Sequence, residues 1–293
     1  MNSPANWTDD FLRDGFFHLP RVVNAHTISA ARLQIDRNLE ECYDPRRKVE
    51  YEYQSFCPDL LGTTPIENLA LDPGVREKLA ELLEPEEMAC DNGQIAIRRA
   101  RNADQPQLPV PHIDGIPTAD NGMSGDELQP FTLLVGIFLS EVRSTFAGNF
   151  TVWPGSHLKL EQYFNTRGRR ALREGMPRIP FGQPQQLLCK PGDAVLCHYS
   201  LAHAAAVNIS DFDRYAVFFR WTHQALNPDQ SPDFREAGWK HVTNIWTDWK
   251  IRPDRLAAEA HLRPSDGSFD EIELPQNTEV PKTTFPASSI ASQ

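Results

Sequence analysis

The residue pattern of this chain changes its period near residue 90, and this change is the feature that most constrains the fold. Before it, the segment 25–43 carries apolar residues at helical spacing, and Asp72 precedes Pro73 as at a helix start. After it, short apolar segments are separated by Gly, Pro, Asn and Asp: "GQIAIRRA", "FTLLVGIFL", "FTVWPGS", "QQLLCKPGDAVLCHY", "AHAAAVNIS" and "RYAVFFRW". Helices followed by strands predict an α+β fold whose strands form a sandwich or barrel.

We expect residues 1–264 to form a single domain. A chain of 293 residues is long enough for one large core that needs no disulfides. The helical part comes first, and the β core is predicted to begin at about residue 91. From residue 265 to 293 the chain is polar and rich in Pro, Ser and Thr without periodicity, so we predict a loosely ordered tail.

Charge and composition exclude several classes of function. The net charge of −11 argues against broad binding to nucleic-acid phosphates. No apolar run approaches the roughly 20 residues of a membrane span, and the N-terminal "MNSPANWTDDFLRD" lacks the parts of a secretion signal. The five cysteines form no CxxC pair and are interpreted as reduced thiols. We therefore expect a cytoplasmic protein whose partner is a small molecule, with the oligomeric state left open.

A histidine and an aspartate, His112 and Asp114, lie two positions apart in "LPVPHIDGIP". On an extended strand these two side chains project to the same side, as two ligands of one metal would. Among 9 His and 40 acidic residues such a pair is expected by chance about once, so the pair alone proves nothing. Two downstream histidines, His198 and His203, could supply a third ligand.

Two histidines and one carboxylate occupy one face of an octahedron. The opposite face stays open, as iron(II) requires to bind an organic cosubstrate together with dioxygen. The sequence contains no HExxH motif that would favour zinc hydrolase chemistry.

Five features together resemble one enzyme family. They are "FLRDGFFHLPRVV", the HxD pair, "GNFTVWPGSH", a "PGD" turn, and a histidine followed eleven residues later by an arginine. Over residues 9–221 the chain thereby resembles the phytanoyl-CoA dioxygenase family of iron(II)- and 2-oxoglutarate-dependent oxygenases. The resemblance implies a double-stranded β-helix, a jelly-roll or cupin-like barrel, flanked by N-terminal helices.

The resemblance also implies an activity. A dioxygenase with Fe(II), 2-oxoglutarate and O2 would hydroxylate an unactivated C–H bond of a small organic metabolite and release succinate and CO2. The substrate is not indicated, because fold analogy stops at the reaction type.

Carried over by position, the implied iron ligands are His112, Asp114 and His203. Arg214, eleven residues after His203, would hold the C5 carboxylate of 2-oxoglutarate. His198 has no arginine at that spacing and is the less favoured distal ligand.

Two further residues are weaker candidates for contact with the cosubstrate. Arg98 lies where relatives place a basic residue, and Thr132 follows the motif loop. One position departs from the family: Ala205 stands where many relatives carry a small hydroxyl residue, so the carboxylate would depend more on Arg214.

The alternative hypothesis is a non-catalytic, metal-binding β-barrel that senses or binds a small molecule. Arg214 favours the oxygenase, because a structural metal has no use for a carboxylate clamp. We also expect the loop 116–130 to act as a lid over the iron, and the Trp-rich segment 235–253 to form a helix that covers the barrel.

Overall fold

Helices and antiparallel sheets are both present, which agrees with the predicted α+β class. The computed structural model describes residues 7–101, 105–116, 128–229 and 231–253. The predicted tail 265–293 and most of the predicted lid lie outside these residues. None of the helices in the described ranges is both long enough and apolar enough to cross a membrane.

The described chain contains seven α-helices and nine strands. The helices are α1 (Trp7–Asp14), α2 (Ala25–Cys42), α3 (Lys48–Tyr53), α4 (Thr64–Ala70), α5 (Pro73–Leu82), α6 (Ser156–Arg167) and α7 (Phe234–Thr243). The strands are β1 (Phe16–Leu19), β2 (Met88–Cys90), β3 (Gln94–Arg98), β4 (Leu133–Phe138), β5 (Phe150–Val152), β6 (Gln185–Gln186), β7 (Ala194–His198), β8 (His203–Ala205) and β9 (Arg214–His223).

The strands form two sheets. The larger has the order β1, β7, β4, β9, β2, and β3 also pairs with β9. The smaller has the order β6, β5, β8. All of these pairings are antiparallel. The long strand β9 pairs with β3 near its start and with β2 at its end, so both short strands lie along the same edge of β9.

The alternation of side chains along β9 separates two apolar cores. Tyr215, Val217 and Phe219 belong to a cluster that contains the buried residues of α2, α4 and α5. Ala216 and Phe218 belong to a second cluster, which is built from both sheets and α6. Since successive residues of a strand point to opposite faces, every even-numbered residue of β9 shares the face of Ala216.

Two aspartates fasten the N-terminal part. Asp72 caps α5 by accepting the backbone N–H of Gly74 at 3.0 Å, and it also accepts the N–H of Asn24 at 3.0 Å. One carboxylate thus ties the starts of α2 and α5 together. Asp193 of the "PGD" turn accepts N–H groups of Arg21 and Lys190, each at 2.8 Å, and so binds the end of β1 to the turn before β7.

The Trp-rich segment is helical only in its first half. Helix α7 ends at Thr243, and Asn244 already has non-helical torsion angles. Beyond it, Trp246 and Trp249 pack on Phe11 of α1, with ring centroids 6.2 and 5.4 Å apart. The predicted helix over 235–253 is therefore wrong after Thr243, because the two tryptophans are buried by a turn that returns to α1.

Candidate metal centre

The two predicted histidine ligands lie opposite each other. The backbone N–H of His112 donates to the carbonyl of His203 at 3.0 Å, and the reverse hydrogen bond is 2.9 Å. This antiparallel bridge brings together residues far apart in sequence and sets their ring centroids 4.6 Å apart. The approach of the two imidazoles is thus fixed by the backbone.

Asp114 completes the cluster from a turn just after the bridge. Its Oδ1 lies 3.5 Å from Nε2 of His112 and 3.7 Å from Nε2 of His203. One ligand atom from each of the three residues falls within 4.8 Å of the others. Gly115 makes the turn possible, since its φ is +77° and a Cβ there would lie 2.2 Å from the carbonyl oxygen of Gln129.

The hydrogen bond that His203 donates from Nδ1 leaves its Nε2 free for a metal. Nδ1 lies 2.9 Å from the carbonyl oxygen of Leu201, which can only accept, so Nδ1 carries the proton. Nε2, which faces Asp114, keeps its lone pair. His203 is buried, whereas 46% of the His112 side chain is exposed, so the cluster is accessible from the His112 side.

The structure adds Arg220 to the cluster as a fourth member. Its Nη2 donates to Oδ2 of Asp114 at 2.6 Å, while Oδ1 faces the histidines. Burial works to raise the pKa of Asp114, but the Arg220 charge and the hydrogen bonds from His112 and His203 outweigh it and hold this pKa well below its usual range. The carboxylate is therefore an anion, as a metal ligand must be.

The competing histidine, His198, ends β7 and shares the face of Ala194 and Leu196, which belong to the first apolar cluster. It is 1% exposed, and its ring stacks on Trp249 with centroids 5.1 Å apart. Its Nε2 donates to the carbonyl of Ile245 at 2.8 Å, and its Nδ1 accepts the N–H of Ser200 at 3.0 Å. With both ring nitrogens bonded, His198 is a core residue, and the geometry brings His203 to Asp114 instead.

Arg214 is a buried cation, and the partly buried Arg98 lies beside it. Arg214 is the first residue of β9 and Arg98 is the last residue of β3, and the strand pairing places them directly opposite each other. Arg214 is 2% exposed, and two of its nitrogens donate to backbone carbonyls: Nε to Gly148 at 2.8 Å and Nη1 to Ala96 at 3.0 Å. Burial, and then the charge of Arg98, lower the pKa of Arg214 to about 9.

No carboxylate is bound to this pair within the described chain. Burial also lowers the pKa of Arg98, and its buried Nε has no hydrogen-bond partner among the described residues. Two adjacent, desolvated guanidinium groups are costly unless an anion meets them. The Arg98–Arg214 pair is therefore suited to bind an anion.

Two phenylalanines connect the histidines to the arginine pair. The ring of His203 lies 5.3 Å from that of Phe150, which lies 5.2 Å from that of Phe218. The guanidinium carbon of Arg214 lies 5.9 Å from the Phe218 ring. Burial lowers the pKa of His112, and the charges of His203 and then Arg98 act in the same direction, so Arg98 lies within electrostatic range of His112. The metal cluster and the anion site thus share one interior.

Thr132 lies away from the arginine pair. It accepts the backbone N–H of His223 at 3.1 Å through Oγ1, at the far end of β9 from Arg214. At roughly 3.3 Å per residue, the length of β9 separates Thr132 from anything that Arg214 holds. The structure does not bring Thr132 to the Arg98–Arg214 pair, because the antiparallel register sets it at the other end of β9.

The donor set fits iron(II). Two imidazole nitrogens and one carboxylate oxygen meet on one side; the carbonyl of Leu201 orients His203, and Arg220 orients Asp114. The anion site in the same interior fits a dicarboxylate cosubstrate with one carboxylate at the arginine pair.

One known family matches part of the chain. The family described as phytanoyl-CoA dioxygenase (PhyH) matches residues 126–216, which include His203 and Arg214. No curated protein matches the chain.

Three solved structures are similar in fold. The apo form of ThoJ, a non-heme monooxygenase, is 16% identical with a TM-score of 0.53, over 75% of this chain and 78% of that one. SnoN, a non-heme alpha-ketoglutarate-dependent epimerase from nogalamycin biosynthesis, is 20% identical with a TM-score of 0.50, over 74% and 80%. HygX from Streptomyces hygroscopicus, with nickel, 2-oxoglutarate and hygromycin B bound, is 15% identical with a TM-score of 0.50, over 75% and 88%.

At these identities the structures show a shared fold, and the family match identifies the part of the sequence that carries it. The resemblance seen in the sequence is confirmed: over residues 126–216 the chain is similar to the phytanoyl-CoA dioxygenase family.

Proposed function

We propose that this protein is an iron(II)- and 2-oxoglutarate-dependent oxygenase that hydroxylates a small organic molecule. The observation that carries the proposal is the combination, in one interior, of the His112–Asp114–His203 cluster and the unneutralised Arg98–Arg214 pair. Residues 1–264 form the oxygenase domain in this proposal, with the two sheets as a double-stranded β-helix.

His112, Asp114 and His203 hold the iron, and each is oriented by a second contact. The antiparallel bridge fixes His112 against His203, and Arg220 holds Oδ2 of Asp114 so that Oδ1 turns to the metal. When bound, iron(II) and 2-oxoglutarate supply the oxidation: dioxygen and 2-oxoglutarate are consumed, succinate and CO2 are released, and one oxygen atom enters a C–H bond.

Arg214 and Arg98 bind the distal carboxylate of 2-oxoglutarate. The backbone hydrogen bonds from Nε and Nη1 of Arg214 hold its guanidinium in place and leave Nη2 available to donate to the carboxylate. Arg98 supplies a second positive charge and its unpartnered Nε. Because two cations meet it there, the carboxylate loses less to desolvation than it would in an apolar interior.

The same pair argues against a barrel that only senses or stores a metal. Such a protein would gain nothing from two adjacent cations to which no carboxylate of the described residues is bound, and their desolvation would reduce its stability. The reaction outcome is a separate question, since SnoN is an epimerase on the same fold. Hydroxylation is the outcome we propose for this chain.

Binding and turnover test the proposal in two steps. We expect the Mn(II)-loaded protein to bind 2-oxoglutarate in calorimetry and the metal-free protein to bind it at least about tenfold more weakly, because the keto acid end needs the metal. With iron(II), 2-oxoglutarate and a library of small metabolites, succinate should form in a metal-dependent manner, and mass spectrometry should find a product heavier by one oxygen. Metal binding without any 2-oxoglutarate binding would favour the non-catalytic barrel.

A further inference from the structure

A cleft of about 360 Å³ shares Arg220 with the metal cluster. It lies between α3, the segment 54–61 and the Gly93–Gln94 start of β3, and Arg220 forms part of its wall. The volume falls within the range of roughly 300–1,000 Å³ that is typical of small-molecule sites.

Arg220 connects this cleft to the candidate iron ligand. The same Nη2 atom donates to Oδ2 of Asp114 at 2.6 Å and to Oε1 of Gln94 at 3.1 Å. A molecule in the cleft that touches Arg220 is therefore one residue away from Asp114.

The charges that line the cleft are already neutralised. Arg220 is paired with Asp114 at 2.6 Å and lies 3.6 Å from Asp91. Glu50 is paired with Arg47 at 2.6 Å. No other charged side chain is among the described residues that line the cleft. An anionic ligand would meet no uncommitted cation there, and phosphate groups in particular are bound through Arg or Lys.

The groups that remain free are neutral. Tyr53 is 68% exposed, so its ring offers an aromatic surface to the cleft. The side-chain amide of the exposed Gln54 has no hydrogen-bond partner among the described residues, although its backbone carbonyl accepts from Gln94. An aromatic face beside a free amide suits a ring that carries hydroxyl or carbonyl groups.

We propose that this cleft binds the substrate, and that the substrate is a neutral, ring-bearing molecule with hydroxyl or carbonyl groups rather than an acyl-CoA thioester. This substrate role rests on the proposed oxygenase function, but binding in the cleft and the ligand class can be tested without turnover.

Ligand-observed NMR with two probes tests it. Phenyl β-D-glucoside represents the neutral class, and coenzyme A represents the anionic class. The full-length protein is loaded with Mn(II), whose paramagnetism broadens the signals of a ligand bound near the metal. We expect saturable binding of the glucoside with Mn(II)-dependent broadening, and no binding of coenzyme A at the same concentration.

Variants at the exposed Tyr53 should leave the fold intact and separate its ring from its hydroxyl group. Tyr53→Ala should weaken glucoside binding by about fivefold, while Tyr53→Phe, which keeps the aromatic face, should stay within about twofold. The matched control is Phe212→Ala, which removes an aromatic ring that is 70% exposed outside the cleft and should change nothing.

Three results would overturn the proposal: tighter binding of coenzyme A than of the glucoside, no glucoside binding at all, or glucoside binding that Tyr53→Ala leaves unchanged. None of them depends on catalysis. Loss of the oxygenase proposal would appear instead as absent 2-oxoglutarate binding to the Mn(II)-loaded protein, with glucoside binding preserved.

Discussion

His112 and His203 exchange both backbone hydrogen bonds, at 3.0 and 2.9 Å, and so hold their imidazoles 4.6 Å apart. A metal bound by both rings would therefore fasten the segment around His112 to β8. Ligand binding to the folded state alone raises the free energy of unfolding, so metal should raise the melting temperature of this protein.

Removing any one ligand should abolish metal binding. We expect His112→Ala, Asp114→Ala and His203→Ala each to weaken Fe(II) or Mn(II) binding by at least about 100-fold, more than the loss of an outer-shell partner causes. Anaerobic calorimetry measures this, and circular dichroism checks the fold.

His198→Ala is the control for that series. Because His198 packs on Trp249 away from the cluster, this variant should lose stability but keep its metal affinity. Metal retained by His203→Ala and lost by His198→Ala would show that the distal ligand is His198.

Arg220 should act through Asp114. Arg220→Met keeps the apolar stem but removes the 2.6 Å hydrogen bond to Oδ2, so the carboxylate loses its fixed orientation. We expect Mn(II) affinity to fall about tenfold, the lower end of the range for outer-shell partners. Arg143→Met, at an exposed ion pair with Glu141, is the matched control and should leave the affinity unchanged. Equal affinities of the wild type and Arg220→Met would contradict the role of this contact.

The sequence predicted the histidine and aspartate ligands, but the reason for their proximity could not be read from it. A two-residue repeat places His112 and Asp114 on one side, whereas the bridge to His203 is a long-range pairing that local periodicity does not report. The eleven-residue spacing between His203 and Arg214, which resembles that of a known family, indicated His203 as the third ligand and identified Arg214 as well.

Arg220 and Thr132 show where such reasoning stopped. Arg220 lies in phase with Arg214 on β9, so alternation could have placed it in the interior, but only the fold shows that Asp114 lies beside it. Thr132 shows the opposite limit. Its nearness in sequence to the motif loop suggested nearness to the cosubstrate, yet the register Leu133 with Trp221 sets it at the far end of β9.

Three buried histidines should make the protein sensitive to acid. His157, His198 and His241 are 0%, 1% and 0% exposed, and burial lowers their pKa values to about 4, 3 and 3. In the unfolded chain a histidine has a pKa of about 6.5. Between these values the unfolded state binds more protons, so stability is present above about pH 6.5 and is lost as the pH falls.

His241→Leu tests this by removing one of the three titrating groups. The free energy of unfolding, measured in urea from pH 7 to pH 4, should fall less steeply in the variant, by up to about 1.4 kcal/mol per pH unit. The comparison of slopes is unaffected by any uniform loss of stability from the substitution. Parallel curves for the two proteins would mean that His241 does not titrate on unfolding.

The arginine pair should determine affinity for 2-oxoglutarate. A guanidinium offers parallel N–H donors to a carboxylate, whereas lysine offers a single charge on a flexible stem. We expect Arg214→Lys to weaken 2-oxoglutarate binding to the Mn(II)-loaded protein at least about tenfold, or roughly 1.4 kcal/mol. Arg214→Ala should nearly abolish it, although the hydrogen bonds to Gly148 and Ala96 are lost as well. Metal affinity should persist in both.

A second substitution separates the carboxylate contact from these structural hydrogen bonds. Ala205 lies two positions after His203 on β8 and therefore projects to the same side. Ala205→Ser in the Arg214→Lys background supplies a hydroxyl donor and should recover lost affinity, about tenfold if one hydrogen bond to the charged carboxylate forms. Recovery would show that the carboxylate itself lacks a donor in Arg214→Lys. If calorimetry finds instead that Arg214→Lys binds 2-oxoglutarate as tightly as the wild type, the cosubstrate does not use this pair, and the anion that Arg98 and Arg214 await is a different one.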